Sequence, residues 1–170
     1  MTARLVLIGA PGAGKTRTGK RVAAALGVPH VDTDKLFVRR HGSIAEFFES
    51  YGEPEFRRIE RELVAEALGE DAVVSLGGGA VLDPDTQARL EGLPVVQLTS
   101  TADAIRERIA QEPEEAAKRP LLAGGGVEAW EALVEARRPI YDRLATVTID
   151  TSHRPMDGVA AEVVAWIGSR

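Results

Sequence analysis

Leu5-Val6-Leu7-Ile8 is a short unbroken apolar run ending in a glycine-rich turn, the pattern of a central parallel strand covered on both faces. A helical pattern follows from about Gly14 to Leu26, with Val22, Ala23, Ala25 and Leu26 available to pack and Gly27 placed to stop it. The alternation recurs, with strands expected near Val31, at Ala72–Leu76, Pro94–Leu98 and Thr146–Ile149, and helical stretches between them. Strands alternating with helices predict an α/β fold in three layers, a central five-stranded parallel sheet with right-handed crossovers and helices on both sides. Ligands are then expected at the carboxyl ends of the strands.

Between the second and third strands lies a longer helical insertion, about residues 33–61. Ser43-Ile44-Ala45-Glu46 fits a capping box, and Phe56, Ile59, Leu63 and Ala67 form a helical stripe beyond it. The insertion is large enough to wall a pocket. From about 111 to 126, charges, Pro113, Pro120 and Gly124-Gly125-Gly126 break any periodicity, so a lid loop is expected there. No repeat or linker divides the 170 residues, and a single domain over 1–170 is expected.

Composition narrows the partners. A net charge of −5 argues against nucleic acid, which asks for a basic stripe, so an anionic ligand must be drawn by a few placed arginines and lysines. The chain has no cysteine, which removes any disulfide framework or cysteine-based zinc site and suits a reducing cytoplasm. The apolar run after Met1-Thr2-Ala3-Arg4 is too short for a signal-peptide core, and none approaches the ~20 residues of a membrane span. A cytoplasmic protein without membrane partners is expected, and with no feature asking for a protein partner, a monomer. His30, His41 and His153 lack metal-ligand spacing and read as structural or surface residues.

Gly9-Ala10-Pro11-Gly12-Ala13-Gly14-Lys15-Thr16 matches G-x-x-x-x-G-K-[ST] in full, after an expected strand and before an expected helix. The physical roles follow from that context. Backbone N–H groups from Gly12, Ala13 and Gly14 wrap the phosphates of ATP, and the helix N-terminus turns its positive dipole end toward them. Lys15 reaches the β and γ phosphates, and Thr16 offers a hydroxyl to the Mg²⁺ that bridges them.

The acceptor must be read elsewhere. Asp32-Thr33-Asp34 follows the second strand, where one carboxylate can serve the metal and the other a hydroxyl proton, or either can cap the next helix. Arg57 reads alone as a solvated helix residue, Arg119 as a solvated loop charge, and Gly77-Gly78-Gly79 as a turn. The expected place of an acidic metal ligand after the third strand holds Ser75 instead.

Together with the phosphate loop, the segments Asp32-Thr33-Asp34, Glu55-Phe56-Arg57-Arg58-Ile59-Glu60, Leu76-Gly77-Gly78-Gly79-Ala80, Arg119-Pro120-Leu121-Leu122 and Arg137-Arg138-Pro139-Ile140-Tyr141 resemble the shikimate kinase family over nearly the whole chain. The resemblance implies the P-loop kinase fold of nucleoside-monophosphate-kinase type, with transfer of the γ-phosphoryl of ATP to the 3-hydroxyl of shikimate. It implies Asp34 as substrate-binding group and base, Asp32 in the magnesium shell through water, and Arg57 with Arg137 on the substrate carboxylate. Glu60 is similar to a position that buttresses the substrate arginine. Gly77, Gly78 and Gly79 are implied at the substrate, Arg119 at the transferring phosphoryl group, and Arg108 and Arg154 at the adenine side. The turn His41-Gly42-Ser43-Ile44 is one residue shorter than the family's usual one, and 111–118 is longer than its usual lid. Two rivals are a gluconate kinase, which also pairs a P-loop with carboxylates, and an ATP-binding regulatory module that transfers nothing.

Overall fold

A computed structural model describes residues 1–113 and 126–170. Five strands, β1 (Leu5–Gly9), β2 (His30–Asp32), β3 (Val73–Ser75), β4 (Val95–Thr99) and β5 (Val147–Asp150), form one parallel sheet in the order β2-β3-β1-β4-β5. The described helices are α1 (Lys15–Leu26), α2 (Thr33–His41), α3 (Ile44–Tyr51), α4 (Glu53–Leu68), α5 (Pro84–Leu90), α6 (Ala102–Gln111), α7 (Gly126–Leu144) and α8 (Met156–Gly168). The expected architecture is present, with strand ends shifted by a residue or two.

Strand alternation divides the core. Val6, Ile8, Val74 and Val95 face α4 and α7 with Val64, Leu68 and Tyr141. Leu5, Leu7, Val73 and Val96 face α1 and α8 with Val22, Val159 and Val163. β1 is buried along its whole length, which is why its sequence reads as continuous apolar and not alternating. On α1 the buried stripe is Thr18, Gly19, Val22 and Ala23; Ala25 is exposed, contrary to expectation, because it lies about 90° around the helix from the centre of that stripe. Gly27, at φ 70°, ends α1 as expected.

The insertion builds its own small core. Phe37, Phe56, Ile59 and Leu63 cluster there, with Phe37 and Phe56 edge to face at 4.8 Å. Ser43 caps α3 by accepting from the Glu46 N–H at 3.3 Å. The lid expected over about 111–126 falls largely outside the described residues, and so does Arg119. Among the described residues no helix is long and apolar enough to cross a membrane.

Candidate active site

The phosphate loop leaves the carboxyl end of β1, beside the point where neighbouring strands diverge to either side. Gly9 could not be another residue: its φ is 140°, and a Cβ there would sit 3.2 Å from the Leu98 carbonyl carbon, with the carbonyl oxygen closer still. Gly14, at φ 98°, opens α1 and leaves the N–H groups of its first turn facing the loop.

Every carbonyl from Gly9 to Ala13 is tied back into the protein. Lys15 Nζ donates to Gly9 O at 2.6 Å and Ala10 O at 3.0 Å. Trp130 Nε1 donates to Pro11 O at 2.7 Å, Arg108 Nη1 to Gly12 O at 2.6 Å, and Thr151 Oγ1 to Ala13 O at 2.8 Å. The Ala13 N–H turns back onto Ala10 O at 3.2 Å, and with the loop's acceptors engaged on the protein side, its face toward an anion is made of N–H groups and not of carbonyls. Trp130 packs with Ala10 and Ile105 beneath the loop. Arg108 also donates to Thr151 O at 2.8 Å, so its guanidinium is occupied in bracing the loop against the β5–α8 turn. Arg154 donates to Asp150 O at 3.1 Å and pairs with Glu162 of α8 at 2.8 Å.

Asp-Thr-Asp divides its work among three contacts. Asp32 both accepts from the Lys35 N–H at 3.0 Å, as the cap of α2, and accepts from the Thr16 hydroxyl. Thr33, buried, accepts from the Gly77 N–H at 3.0 Å through its hydroxyl. Asp34 lies against Gly77, where a Cβ would come 3.0 Å from its Cγ.

The next two glycines repeat that relation with two arginines. A Cβ on Gly78 would meet Arg137 Nη1 and Pro11 Cδ at 3.3 Å each, and one on Gly79 would meet the Arg57 Cζ at 2.7 Å. The triplet thus leaves room for Asp34, Arg137 and Arg57 in turn. Tyr141 fixes its path by donating to Gly78 O at 2.7 Å.

Arg57 is half-buried and pairs with Glu60 at 2.7 Å and Glu53 at 3.4 Å. Burial works against its charge, but Glu60 and Glu53 more than offset this and raise its pKa. Glu60 is buried, and burial outweighs Arg57, with Asp34 adding to the rise, so that its pKa is pushed up to about 7. Arg58 keeps the surface reading, exposed between Glu55 and Glu62.

Ser75 and His30 are linked by a 2.8 Å hydrogen bond, and Ser75 Oγ donates to Lys15 O at 3.0 Å. Burial lowers the His30 pKa, so it stays neutral. The side chains that sequence did not single out are Trp130 and, within flagged stretches, Thr33, Tyr141 and Thr151. Trp130 and Tyr141 did carry a signal, since a buried tryptophan or tyrosine needs a polar partner.

A phosphate-binding loop beside a glycine wall along which one carboxylate and two guanidiniums lie is suited to moving a phosphoryl group and not merely to sensing nucleotide; this is an ATP-dependent phosphotransferase acting on an alcohol group. A family model described as Shikimate kinase matches residues 11–168, and the chain belongs to that family. The shikimate kinase of Mycobacterium tuberculosis is 43% identical over 169 residues, which cover 97% of this chain and 93% of that one. A shikimate kinase from Acinetobacter baumannii, solved in complex with shikimate, matches with a TM-score of 0.88 at 29% identity, covering 99% of this chain and 94% of that one. A gluconokinase from Sinorhizobium meliloti, at TM-score 0.65 and 20% identity over 97% of this chain and 91% of that one, shares the fold alone.

Proposed function

We propose that the chain moves the γ-phosphoryl of ATP in line to the 3-hydroxyl of shikimate, with Asp34 as the base that orients the hydroxyl and takes its proton. The observation that carries the assignment of roles is the alignment of Asp34, Arg137 and Arg57 along Gly77-Gly78-Gly79, beside Pro11 of the phosphate loop. Two guanidiniums converging on one wall suit a carboxylate, which accepts directional charge-assisted hydrogen bonds and holds the ring in one orientation. Arg57 and Arg137 grip that carboxylate, Glu60 buttresses Arg57, and the glycines let the ring lie close to backbone.

Gly12, Ala13, Gly14 and Thr16 bind the phosphates through backbone N–H groups. Lys15 exchanges its contacts with Gly9 O and Ala10 O for the β and γ oxygens. Arg108 and Arg154 line the adenine side, Arg108 by bracing Gly12. Arg119 belongs to the same reading as the charge that meets the transferring phosphoryl group.

The residues present fit Mg²⁺ held mainly by nucleotide and water. The Thr16 hydroxyl and the Asp32 carboxylate lie together beside the loop, and among the described residues no three acidic, histidine or cysteine side chains gather into an all-protein site. Thr16 would ligate the ion directly and Asp32 through water, and the chemistry it would supply there is neutralisation of phosphate charge. The reading takes residues 1–170 as one monomeric domain working in the cytoplasm, with ATP and shikimate as its partners.

ADP release by the purified protein with MgATP tests the reading, comparing no acceptor, shikimate and gluconate. Release with shikimate alone is expected. Release with gluconate would retain the kinase and reassign its acceptor pocket.

A further inference from the structure

Helix α7 touches both halves of the site from one side. Arg137 and Tyr141 stand seven and eleven residues beyond Trp130 along it, the three within about 40° of one another around the axis and spread over ~16 Å of its length. At one end Trp130 holds the carbonyl of Pro11, in the donor loop. At the other, Tyr141 holds the carbonyl of Gly78, in the acceptor loop. Between them Arg137 reaches the same glycine. Trp130 and Tyr141 are both only 2% exposed, so neither bond is open to replacement by bulk water, and each carbonyl depends on its side chain. Pro11 and Gly78 also abut directly, which makes their relative position sensitive to both anchors.

We infer that α7 sets the register of the donor loop against the acceptor loop, with Trp130 and Tyr141 as its two positioning residues. The inference rests on the proposed division into donor and acceptor halves. Neither residue touches a reacting atom. Trp130 acts through Pro11 on the phosphate loop, and Tyr141 acts through Gly78 on the wall beside Arg137 and Asp34. Register is a property of the pair of anchors, because one free loop is enough to lose it.

Tyr141→Phe removes only the O–H and leaves its buried ring in place, whereas Trp130→Phe removes the N–H together with part of the buried indole, so thermal unfolding of each variant is read alongside to separate lost packing from the lost hydrogen bond. Dissociation constants for MgATP and for shikimate, measured by calorimetry, separate local from general effects without requiring turnover. Trp130→Phe is expected to weaken MgATP about five- to tenfold, the worth of one hydrogen bond, with shikimate changed less than about twofold. Tyr141→Phe is expected to do the reverse. In steady-state kinetics each variant lowers kcat, and the double variant lowers it little beyond the worse single one, since either break already loses register. Multiplying kcat losses, or equal weakening of both ligands by each variant, would overturn the inference and leave two ordinary buried hydrogen bonds. If the wild-type chain binds MgATP but not shikimate, the acceptor assignment falls, while the MgATP arm still decides the role of Trp130.

Discussion

The donor and acceptor halves of the site are built by opposite means. In the proposed donor half, side chains serve the backbone: Lys15, Trp130, Arg108 and Thr151 bind the carbonyls from Gly9 to Ala13 and fix the path of the loop. In the acceptor half, backbone serves the side chains: Gly77, Gly78 and Gly79 give up their Cβ positions to Asp34, Arg137 and Arg57. The donor half is proposed to take the triphosphate, which many nucleotides share, mainly through main-chain N–H groups, with Lys15 and Thr16 as its side-chain contacts. The acceptor half must recognise one alcohol among many, and only side chains differ enough to do that. Changes in the first half should therefore act on fold and ATP, and changes in the second on the acceptor and on turnover.

The sharpest break of that comparison is Asp34→Asn. Loss of the base is expected to lower kcat by a factor on the order of 10² to 10⁴ with MgATP affinity nearly unchanged, as steady-state kinetics and calorimetry would read. A fall in MgATP affinity of similar size would mean that the two halves are not separate.

Two alanine substitutions at glycine sharpen it further. Gly9→Ala forces a positive φ and a clash with the Leu98 backbone, so a loss of about 3 kcal/mol in denaturant unfolding is expected. Gly79→Ala meets only the far end of the Arg57 side chain, which can swing away. Thermal unfolding should change little, while KM for shikimate rises by roughly tenfold or more as Arg57 leaves its place.

The smallest effect concerns Glu60. Its pKa in the folded chain, about 7 against an ordinary 4.5, means that the folded state holds a proton which the unfolded state has released. Stability from this group is fully present below about pH 4.5 and is lost as pH rises through about 7. Thermal unfolding at pH 5 and pH 8 should show the wild type losing on the order of 1–2 kcal/mol relative to Glu60→Gln. The opposite slope would mean that Arg57 outweighs burial.

The sheet and the phosphate loop were legible because both depend on local pattern: an unbroken apolar β1, and a glycine spacing that few other structures require. The stripe of α4 was equally plain, and Phe56, Ile59, Leu63 and Ala67 are all buried as expected. Less of the acceptor half could be read from residues alone, since Asp34, Arg57 and Arg137 come from distant parts of the chain and meet only in the fold. The resemblance to a family supplied them. Asp32 could not be divided in advance between capping α2 and meeting Thr16, because its two oxygens do both. Trp130 and Tyr141 escaped notice because their partners are carbonyls, which every residue carries and no sequence marks.

The strand order β2-β3-β1 has a consequence for what such a site can become. Asp34 stands in the first turn of α2, directly after β2, the glycine wall follows β3, and the phosphate loop follows β1. The strands that lead to the proposed base and to the phosphate loop therefore stand two inter-strand spacings apart, about 10 Å, an interval given by hydrogen-bonded backbone and not by any side chain. A small ring and a transferring phosphoryl group fill an interval of that size. Because strands add or subtract only in whole spacings, the cavity cannot be widened by degrees from below; adaptation to a larger or smaller alcohol has to come from the helices that roof it.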